Sequence, residues 1–367
     1  SFSRRQRQMC IRDRNIINFD ESFSGEIIFD AKINKVNKLN IKTDDFIIPG
    51  FIDLHCHGAN GFDTMDGWDA IKKMTNYHLK KGTTSILPTT WTSTFEHTFN
   101  ALKGFENYKK ENSNILGVHL EGPFINPNKL GAQPPLAINP SVDFVKKLQD
   151  LAPIKVITLA PELNGMDFFI EEVNKLGIKI QFGHSLADYN CCARFMSNYN
   201  IGFTHLYNAM SGNHHRSSGV LTAALDLGSF AEIICDFNHV SKESIKIAKK
   251  CIENLYAVTD AMGATGLENG IYNFFNTEVE KKDKIAVLEG TNSLAGSIIN
   301  MHDTFLNLNQ LNFSLNDIVK MTSFNAAKYL GIDDLGYLGK NKISNILVLD
   351  KNFNLKEIYL NGIKINE

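Results

Sequence analysis

Long apolar runs are missing from this chain of 367 residues. No stretch approaches the roughly 20 apolar residues that a helix needs to cross a bilayer, so we expect no membrane partner. Cysteine is also scarce, and the six thiols follow no CxxC spacing. This excludes a disulfide scaffold and a thiolate-rich structural zinc site, and it is typical of reduced thiols in a cytoplasmic protein.

A large excess of charge of one sign is absent as well. The formal net charge is −2, without long runs of like charge, so the chain carries no electrostatic signature of a nucleic-acid-binding protein. We therefore expect a small molecule as its partner. Because 43% of the residues are hydrophobic, the chain can bury a sizeable core, and we expect one large domain with a smaller satellite.

Eight short apolar runs of β type recur through the middle of the chain, with amphipathic, helix-like segments between them. The runs are FIDLH (51–55), TSILPT (84–89), ILGVHLE (115–121), IKVITLA (154–160), IKIQFGH (178–184), IGFTHL (201–206), AEIICD (231–236) and LYAVTD (255–260). Ser141 and Ser241 are plausible helix starts, and Gly82 and Gly177 plausible stops. This alternation predicts an α/β fold, a parallel (β/α)8 barrel of TIM type.

Two histidines one residue apart end the first run. Residues at i and i+2 of a strand point to the same face, so His55 and His57 can direct both imidazoles at one divalent cation. Cys56 lies between them and is expected on the opposite face. Two surface histidines on a strand would give the same short pattern, so other residues must decide between the two interpretations.

Four further metal-capable residues lie at or near the ends of later runs: Glu121, His184, His205 and Asp260. Each has an ordinary explanation by itself, as a turn carboxylate, a hydrogen-bonded core histidine or a helix cap. Because the carboxyl ends of barrel strands meet at one rim, we expect all of them to converge on an active site there. His119, two residues before Glu121, is expected to orient ligands from behind.

Neutral imidazoles with one or two carboxylates are the ligand set of hydrolytic metal sites. Such a site needs a separate carboxylate to take the proton of the attacking water and pass it to the leaving group, and Asp260 is the best candidate. The donor types admit several metals. We expect one or two divalent ions per subunit, zinc or iron in the first place, with cobalt or manganese as alternatives.

Several sequence blocks, in order along the chain, resemble the N-acetylglucosamine-6-phosphate deacetylase family within the amidohydrolase superfamily. They are PGFIDLHCHG (49–58), GVHLEGPFINP (117–127), TLAPE (158–162), GHS (183–185), THLYNAM (204–210), HHR (214–216), VTDAM (258–262) and LAGS (294–297). The resemblance implies hydrolysis of N-acetyl-D-glucosamine 6-phosphate to D-glucosamine 6-phosphate and acetate, in the cytoplasm. Rival functions are an amidohydrolase for another N-acylated sugar phosphate or a cyclic amide, and a non-catalytic sugar-phosphate sensor, although a sensor needs no Asp260.

The resemblance also implies a role for individual residues. Glu121, His184 and His205 correspond to the principal metal site, and His55 and His57 complete a second one that Glu121 bridges. Asp260 corresponds to the general base and acid. His239 corresponds to the histidine that contacts the substrate and polarises its acetyl carbonyl.

The phosphate side of the substrate is expected to contact other residues. Arg216 matches a phosphate-binding arginine that reaches the neighbouring subunit's active site, which implies a homodimer. Asn208 and Ala209 match sugar-phosphate contacts, and His214 either touches the phosphate or covers the dimer interface. Gln133 replaces a histidine that is common in the family and can still bond a sugar hydroxyl. Ser217 and Ser218 follow Arg216 where Glu-Pro is usual.

The flanks complete the expected domain organisation. Residues 1–14 are polar and basic, resemble no secretory signal, and are expected to be an atypical leader, or an artefact, outside the fold. Residues 15–48 together with 341–367 predict a small β-sandwich domain. Residues 49–340 predict the barrel, with a β-rich insertion at 270–289 and closing helices at 300–330.

Overall fold

Eight parallel strands form the centre of the protein, one at each position that the sequence predicted. The computed structural model describes residues 8–108, 113–274, 277–291 and 293–366. The barrel strands are β1 (Phe51–Cys56), β2 (Thr83–Thr90), β3 (Val118–Glu121), β4 (Ile154–Leu159), β5 (Lys179–Phe182), β6 (Ile201–Phe203), β7 (Phe230–Ile234) and β8 (Asn254–Val258). Strands β1 to β6 pair side by side in chain order, and β7 pairs with β8.

Two main-chain hydrogen bonds show how the barrel closes. Leu206 N donates to Glu232 O (2.8 Å), which connects β6 to β7, and Asp260 N donates to His55 O (2.8 Å), which connects β8 to β1. The (β/α)8 prediction is therefore confirmed. The observed strands are mostly shorter than the apolar runs because the last residues of several runs turn away into the loops of the rim.

A helix follows each strand. The helices are α1 (Trp68–Lys80), α2 (Phe95–Leu102), α3 (Val142–Leu151), α4 (Met166–Lys175), α5 (Tyr189–Met196), α6 (Val220–Leu227), α7 (Lys242–Cys251), α8 (Met301–Gln310), α9 (Leu315–Val319) and α10 (Asn325–Leu330), with short 3₁₀ turns at Thr64–Asp66 and Phe105–Asn107 and a π turn at Lys320–Phe324. Ser141 and Ser241 cap α3 and α7 by accepting hydrogen bonds from Phe144 N and Ser244 N. Within the described chain, no helix has the length and apolarity that crossing a membrane requires.

The barrel interior is packed with side chains. Ile52 of β1, Leu87 of β2, Val156 of β4 and Tyr256 of β8 belong to one buried cluster, which strands on opposite sides of a barrel can form only in its interior. Tyr329 of α10 joins this cluster and donates a hydrogen bond to Ile180 O of β5 (3.0 Å). The last helix is thereby fixed to the barrel.

The predicted β-rich insertion after β8 is present as a four-stranded antiparallel sheet, which extends to Gly296 and thus beyond the predicted end at residue 289. Its strands are Gly270–Phe274, Thr277–Lys282, Ile285–Leu288 and Leu294–Gly296. Gly263 permits its close approach to the barrel, since a Cβ there would lie 2.2 Å from the Phe274 ring. Two short pairs, Gly58–Ala59 with Phe62–Asp63 and Asn213–His214 with Ser217–Ser218, complete the loops.

Both chain ends contribute to one seven-stranded sheet beside the barrel. Its order is Ile363–Lys364, Leu355–Leu360, Ile346–Leu349, Phe46–Pro49, Met9–Ile17, Ser22–Phe29 and Ile33–Lys38. The expectation that residues 1–14 lie outside the fold is wrong from Met9 onward. Met9–Ile17 pairs with two neighbouring strands, and its Ile11 and Ile16 are buried. The expectation for residues 1–7 falls outside the described residues.

Candidate active site

The predicted metal-capable residues do converge at the carboxyl ends of the strands. His55 lies in β1 and Glu121 ends β3, while three others lie just beyond β5, β6 and β8 in the left-handed backbone region: His184 (φ 49°), His205 (φ 27°) and Asp260 (φ 48°). Such a conformation costs non-glycine residues about 1–3 kcal/mol each, and residues strained in this way cluster at functional sites. Here it turns three strand ends toward a common point.

Glu121 lies between two groups of ligand atoms. Its Oε1 is 3.1 Å from His184 Nε2 and 3.1 Å from His205 Nε2. Its Oε2 is 3.1 Å from His57 Nε2 and 3.4 Å from His55 Nε2. One carboxylate therefore faces both groups, one oxygen to each.

Asp260 completes the second group. The sequence had predicted only His55 and His57 there, with Glu121 as the bridge. Asp260 Oδ1 lies 3.3 Å from His57 Nε2 and 3.5 Å from His55 Nε2. The ligand atoms of His55, His57 and Asp260 all lie within 4.8 Å of one another, as do those of Glu121, His184 and His205. Cys56 is outside both groups, with Sγ 3.2 Å from His78 Nε2, as its position in the strand predicted.

The orientation of the imidazoles suits metal binding. His184 Nδ1 donates to Lys129 O (2.8 Å), His57 Nδ1 donates to Thr89 O (3.1 Å), and His55 Nδ1 donates to Glu232 Oε2 (2.9 Å). A proton fixed on Nδ1 leaves the Nε2 lone pair free, and in all three rings Nε2 faces the cluster. Protein groups thus select the tautomer that binds a cation.

The electrostatics of the cluster point the same way. Burial opposes ionisation of Asp260, but the imidazoles of His55 and His57 outweigh it and lower the pKa of Asp260 to about 2. Burial likewise disfavours the imidazolium of His57, yet hydrogen bonds to Asp260 and Glu121 raise its pKa to about 9. The cluster therefore stabilises positive charge, and its donor set fits one or two divalent cations.

His119 lies beneath the two groups and takes no ligand position. Its Nδ1 donates to Leu54 O (2.9 Å), and its Nε2 contacts Thr158 Oγ1 (2.7 Å). Burial and the neighbouring charge of His55 lower its pKa to about 4, so the ring is neutral. It packs edge-on against His55, with ring centroids 4.6 Å apart, which agrees with the supporting role expected for it.

A cavity of about 320 Å³ opens in front of Glu121 and Asp260. Its other lining residues come from the loops of the rim and the inserted sheet: His57, Trp91, Gly131, Ala132, Gln133, His184, His205, Asn208, Ala209, His239, Ser293, Leu294, Ala295 and Gly296. Four of the residues predicted to bind substrate are among them: Gln133, Asn208, Ala209 and His239. Trp91 stacks on the His57 ring with centroids 3.8 Å apart and forms part of the wall.

His239 reaches the cavity with its Nδ1 bound to Asp236 Oδ2 (2.7 Å). The other Asp236 oxygen accepts from His239 N (2.8 Å) and Asn238 N (2.9 Å), so a single carboxylate shapes the loop and holds the ring. Burial disfavours the charged ring, but this carboxylate outweighs it and raises the pKa of His239. Nε2 remains for the cavity.

Gln133 lines the cavity but also contacts a candidate ligand directly. Its Nε2 donates to Glu121 Oε2 (2.5 Å), and its Oε1 accepts from Thr92 N (2.7 Å). Both ends of the amide are engaged, so Gln133 fixes the orientation of the carboxylate that lies between the two ligand groups. The sequence had predicted a sugar contact for it and gave no sign of this one.

His214 and Arg216 lie outside the cavity of their own chain. They belong to an exposed hairpin of Asn213–His214 and Ser217–Ser218, where Arg216 N donates to His214 Nδ1 (3.3 Å). Among the described residues, no lysine or arginine lines the cavity. Their predicted substrate contacts are thus not made within one chain.

Comparison with known proteins shows to which family this chain belongs. A model of the amidohydrolase family matches residues 46–364. The chain belongs to the amidohydrolase family. An N-acetylglucosamine-6-phosphate deacetylase from Bacillus subtilis (strain 168) is 38% identical over 312 residues, 81% of this chain and 78% of that protein. Another from Lysinibacillus sphaericus is 35% identical over 324 residues, covering 85% and 83%.

The fold of this amidohydrolase agrees with that of a further relative whose structure is known. The crystal structure of N-acetylglucosamine-6-phosphate deacetylase from Thermotoga maritima superimposes with a TM-score of 0.90 at 29% identity, covering 97% of this chain and 99% of that one. The resemblance read from the sequence blocks is confirmed, and so is the prediction of an enzyme.

Sequence reasoning missed Glu232 and Asp236. Glu232 is fully buried, and it is the one charged residue within the apolar run 231–235, which signals a paired carboxylate inside the barrel. Asp236 precedes His239 by three residues, the spacing at which a carboxylate closes a turn onto a following side chain.

Proposed function

We propose that this amidohydrolase hydrolyses N-acetyl-D-glucosamine 6-phosphate to D-glucosamine 6-phosphate and acetate. The observation that carries the proposal is the position of Glu121 between two groups of ligand atoms, at a cavity that Asp260 and His239 also line. The relatives from Bacillus subtilis, Lysinibacillus sphaericus and Thermotoga maritima, which match over most of their length, bear the name of that activity.

Glu121, His184 and His205 would hold one divalent ion, and His55, His57 and Asp260 a second, with Glu121 facing both. A divalent ion held by these residues would supply Lewis acidity, which polarises a carbonyl group and lowers the pKa of a bound water to near 7. Zinc or iron is the proposed metal, since imidazole and carboxylate suit both.

Two side chains act on the substrate's amide. Asp260 takes a proton from the attacking water, whose oxygen bonds to the acetyl carbon, and returns the proton to the sugar nitrogen as the carbon–nitrogen bond breaks. Asp236 holds His239 through Nδ1 and raises the pKa of the ring, so the doubly protonated His239 donates from Nε2 to the carbonyl oxygen as negative charge develops there. Asn208, Ala209 and Gln133 border the space left for the sugar.

The phosphate requires a cationic donor that one chain does not supply to its own cavity among the described residues. We therefore propose a homodimer in which Arg216, with His214, enters the cavity of the partner from the exposed hairpin. A guanidinium can bond two phosphate oxygens at once. Because a charged sugar phosphate does not cross a lipid bilayer unaided, we place the reaction in the cytoplasm.

Acetate release from three substrates tests the proposal: N-acetylglucosamine 6-phosphate, its unphosphorylated form, and other N-acylated sugar phosphates. We expect the highest kcat/KM for the first. Asp260→Asn should lower kcat by a factor on the order of 10²–10⁴ while substrate still binds. A higher kcat/KM for another sugar phosphate would reassign the substrate, and full turnover by the variant would refute the role of Asp260.

A further inference from the structure

Glu232 is a carboxylate inside the barrel to which the proposed mechanism assigns no task. It lies in β7, is completely buried, and reaches the underside of the ligand cluster. Its Oε2 accepts from His55 Nδ1 at 2.9 Å and from the main-chain N of His205 at 3.3 Å. Its Oε1 lies 4.0 Å from His119 Nδ1.

Among the described residues, the charge of Glu232 is opposed only by imidazoles at or beneath the two ligand groups. Its ion-pair contacts among the described residues are with the imidazoles of His55 and His119, not with a lysine or arginine. His119 Nδ1 is bonded to Leu54 O at 2.9 Å and lies 4.0 Å from Glu232, so its proton is directed at the carbonyl and not at the carboxylate. Burying a carboxylate without a cation nearby is energetically unfavourable. Because Glu232 contacts His55, it acts directly on the second ligand group.

From these contacts we infer that Glu232 is a positioning residue that secures binding of the second metal ion, the one at His55, His57 and Asp260. The inference rests on the metal use proposed above. Glu232 holds His55 in the tautomer that is protonated on Nδ1 and has Nε2 toward Asp260. The carboxylate also makes Nε2 more basic and therefore a stronger metal ligand. His184, in the other group, is oriented instead by the uncharged Lys129 carbonyl.

The number of carboxylates around His55 also favours binding of the second metal ion. Glu121, Asp260 and Glu232 place three carboxylates around His55. One divalent cation balances two of these charges and leaves the third, so the site keeps attracting a second cation. Without the charge of Glu232, a single cation neutralises the remaining two carboxylates, and the drive to bind another falls.

The test is a metal titration of the metal-depleted full-length protein with zinc against a competing chelator, using wild type and Glu232→Gln. We expect two ions per subunit in the wild type. In the variant, the dissociation constant of the second ion should rise about 10- to 100-fold, and that of the first by less than about threefold. A merely structural role would weaken both ions alike.

Asp236→Asn is the matched control, because Asp236 is also a buried carboxylate on a histidine Nδ1, but its partner His239 belongs to neither ligand group. It should bind both ions like the wild type. Thermal unfolding of each metal-free variant checks the fold. If Glu232→Gln is unstable, Glu232→Asp, which keeps the charge but shortens the reach, should show intermediate second-ion affinity.

Two ions bound by Glu232→Gln with wild-type constants, or only one ion bound by the wild type, would overturn the inference and leave the proposed hydrolysis standing. A wild-type protein that takes up no metal at all would instead contradict the proposed function itself. The titration therefore separates the two failures.

Discussion

Imidazoles of the same type act differently in this site because of what each ring nitrogen touches. Both nitrogens of His119 contact protein groups, so this ring supports its neighbours. Three other rings use only Nδ1 for such a contact and direct Nε2 at the carboxylates: His55, His57 and His184. At the scale of single residues, the groups that contact the two ring nitrogens decide which histidine can bind a cation. The residue type alone does not.

Asp236→Asn should change the pH dependence of catalysis. Asp236 raises the pKa of His239, so the doubly protonated ring persists to higher pH than usual and is lost as pH rises through that raised value. Without the carboxylate, burial dominates and the pKa falls. The alkaline limb of kcat/KM should therefore move to lower pH, which a pH–rate profile measures.

Asn238→Ala serves as the control, because it alters the same loop and leaves the Asp236–His239 pair in place. Its alkaline limb should coincide with that of the wild type. An unchanged limb in Asp236→Asn would show that His239 does not act as a charged donor.

At the scale of strands, polar side chains tie the barrel together beneath the site. Thr158 of β4 lies 2.7 Å from both His119 Nε2 and Thr204 Oγ1, and Thr204 donates to Gln181 Oε1 of β5 (2.9 Å). Gln181 Nε2 donates onward to the Tyr256 hydroxyl of β8 (2.6 Å). This chain of hydrogen bonds fixes how far neighbouring strands extend along the barrel axis relative to one another. It thereby fixes the position of the histidines that follow those strands.

Thr204→Val should destabilise the protein by about 1–3 kcal/mol, because it removes the donor to the buried Gln181 Oε1 and one of the two side-chain contacts of the Thr158 hydroxyl. Urea unfolding measures the change. Thr90→Val is a matched control: Thr90 is equally buried in β2, and its hydroxyl has no hydrogen-bond partner among the described residues. It should be neutral or slightly stabilising. Equal losses in both variants would contradict a role for the hydrogen-bond chain.

At the scale of the whole molecule, the proposed dimer can be tested by complementation. Arg216→Ala should raise KM for the phosphorylated substrate and lower kcat/KM, and Asp260→Asn should be inactive through loss of proton transfer. If Arg216 acts across a twofold interface, mixing the two variants under subunit exchange creates one intact site in each mixed dimer. Roughly a quarter of wild-type activity should then return.

The control is each variant mixed with itself, which should regain nothing, with light scattering to follow the dimer. Additive residual activities in the mixture would place Arg216 in its own subunit's site or outside the active site altogether.

Much of the fold and the candidate site was predictable because both leave local patterns. Short apolar runs predicted all eight barrel strands, and parallel strands necessarily bring residues such as Glu121 and Asp260 to one rim. What failed had no local pattern: Met9–Ile17 looked polar, since a strand at this position needs few buried residues, and only its pairing partners make it part of a sheet.

The sequence by itself determined the barrel, the residue types that can hold a metal, and the family, because each depends on residue identity and spacing. Only the tertiary structure decided which oxygen of Glu121 faces which histidines, that Gln133 holds this carboxylate, and that Glu232 lies behind His55. These contacts join residues far apart in the chain across distances of a few ångströms, which are set by how the strands close and not by any segment alone.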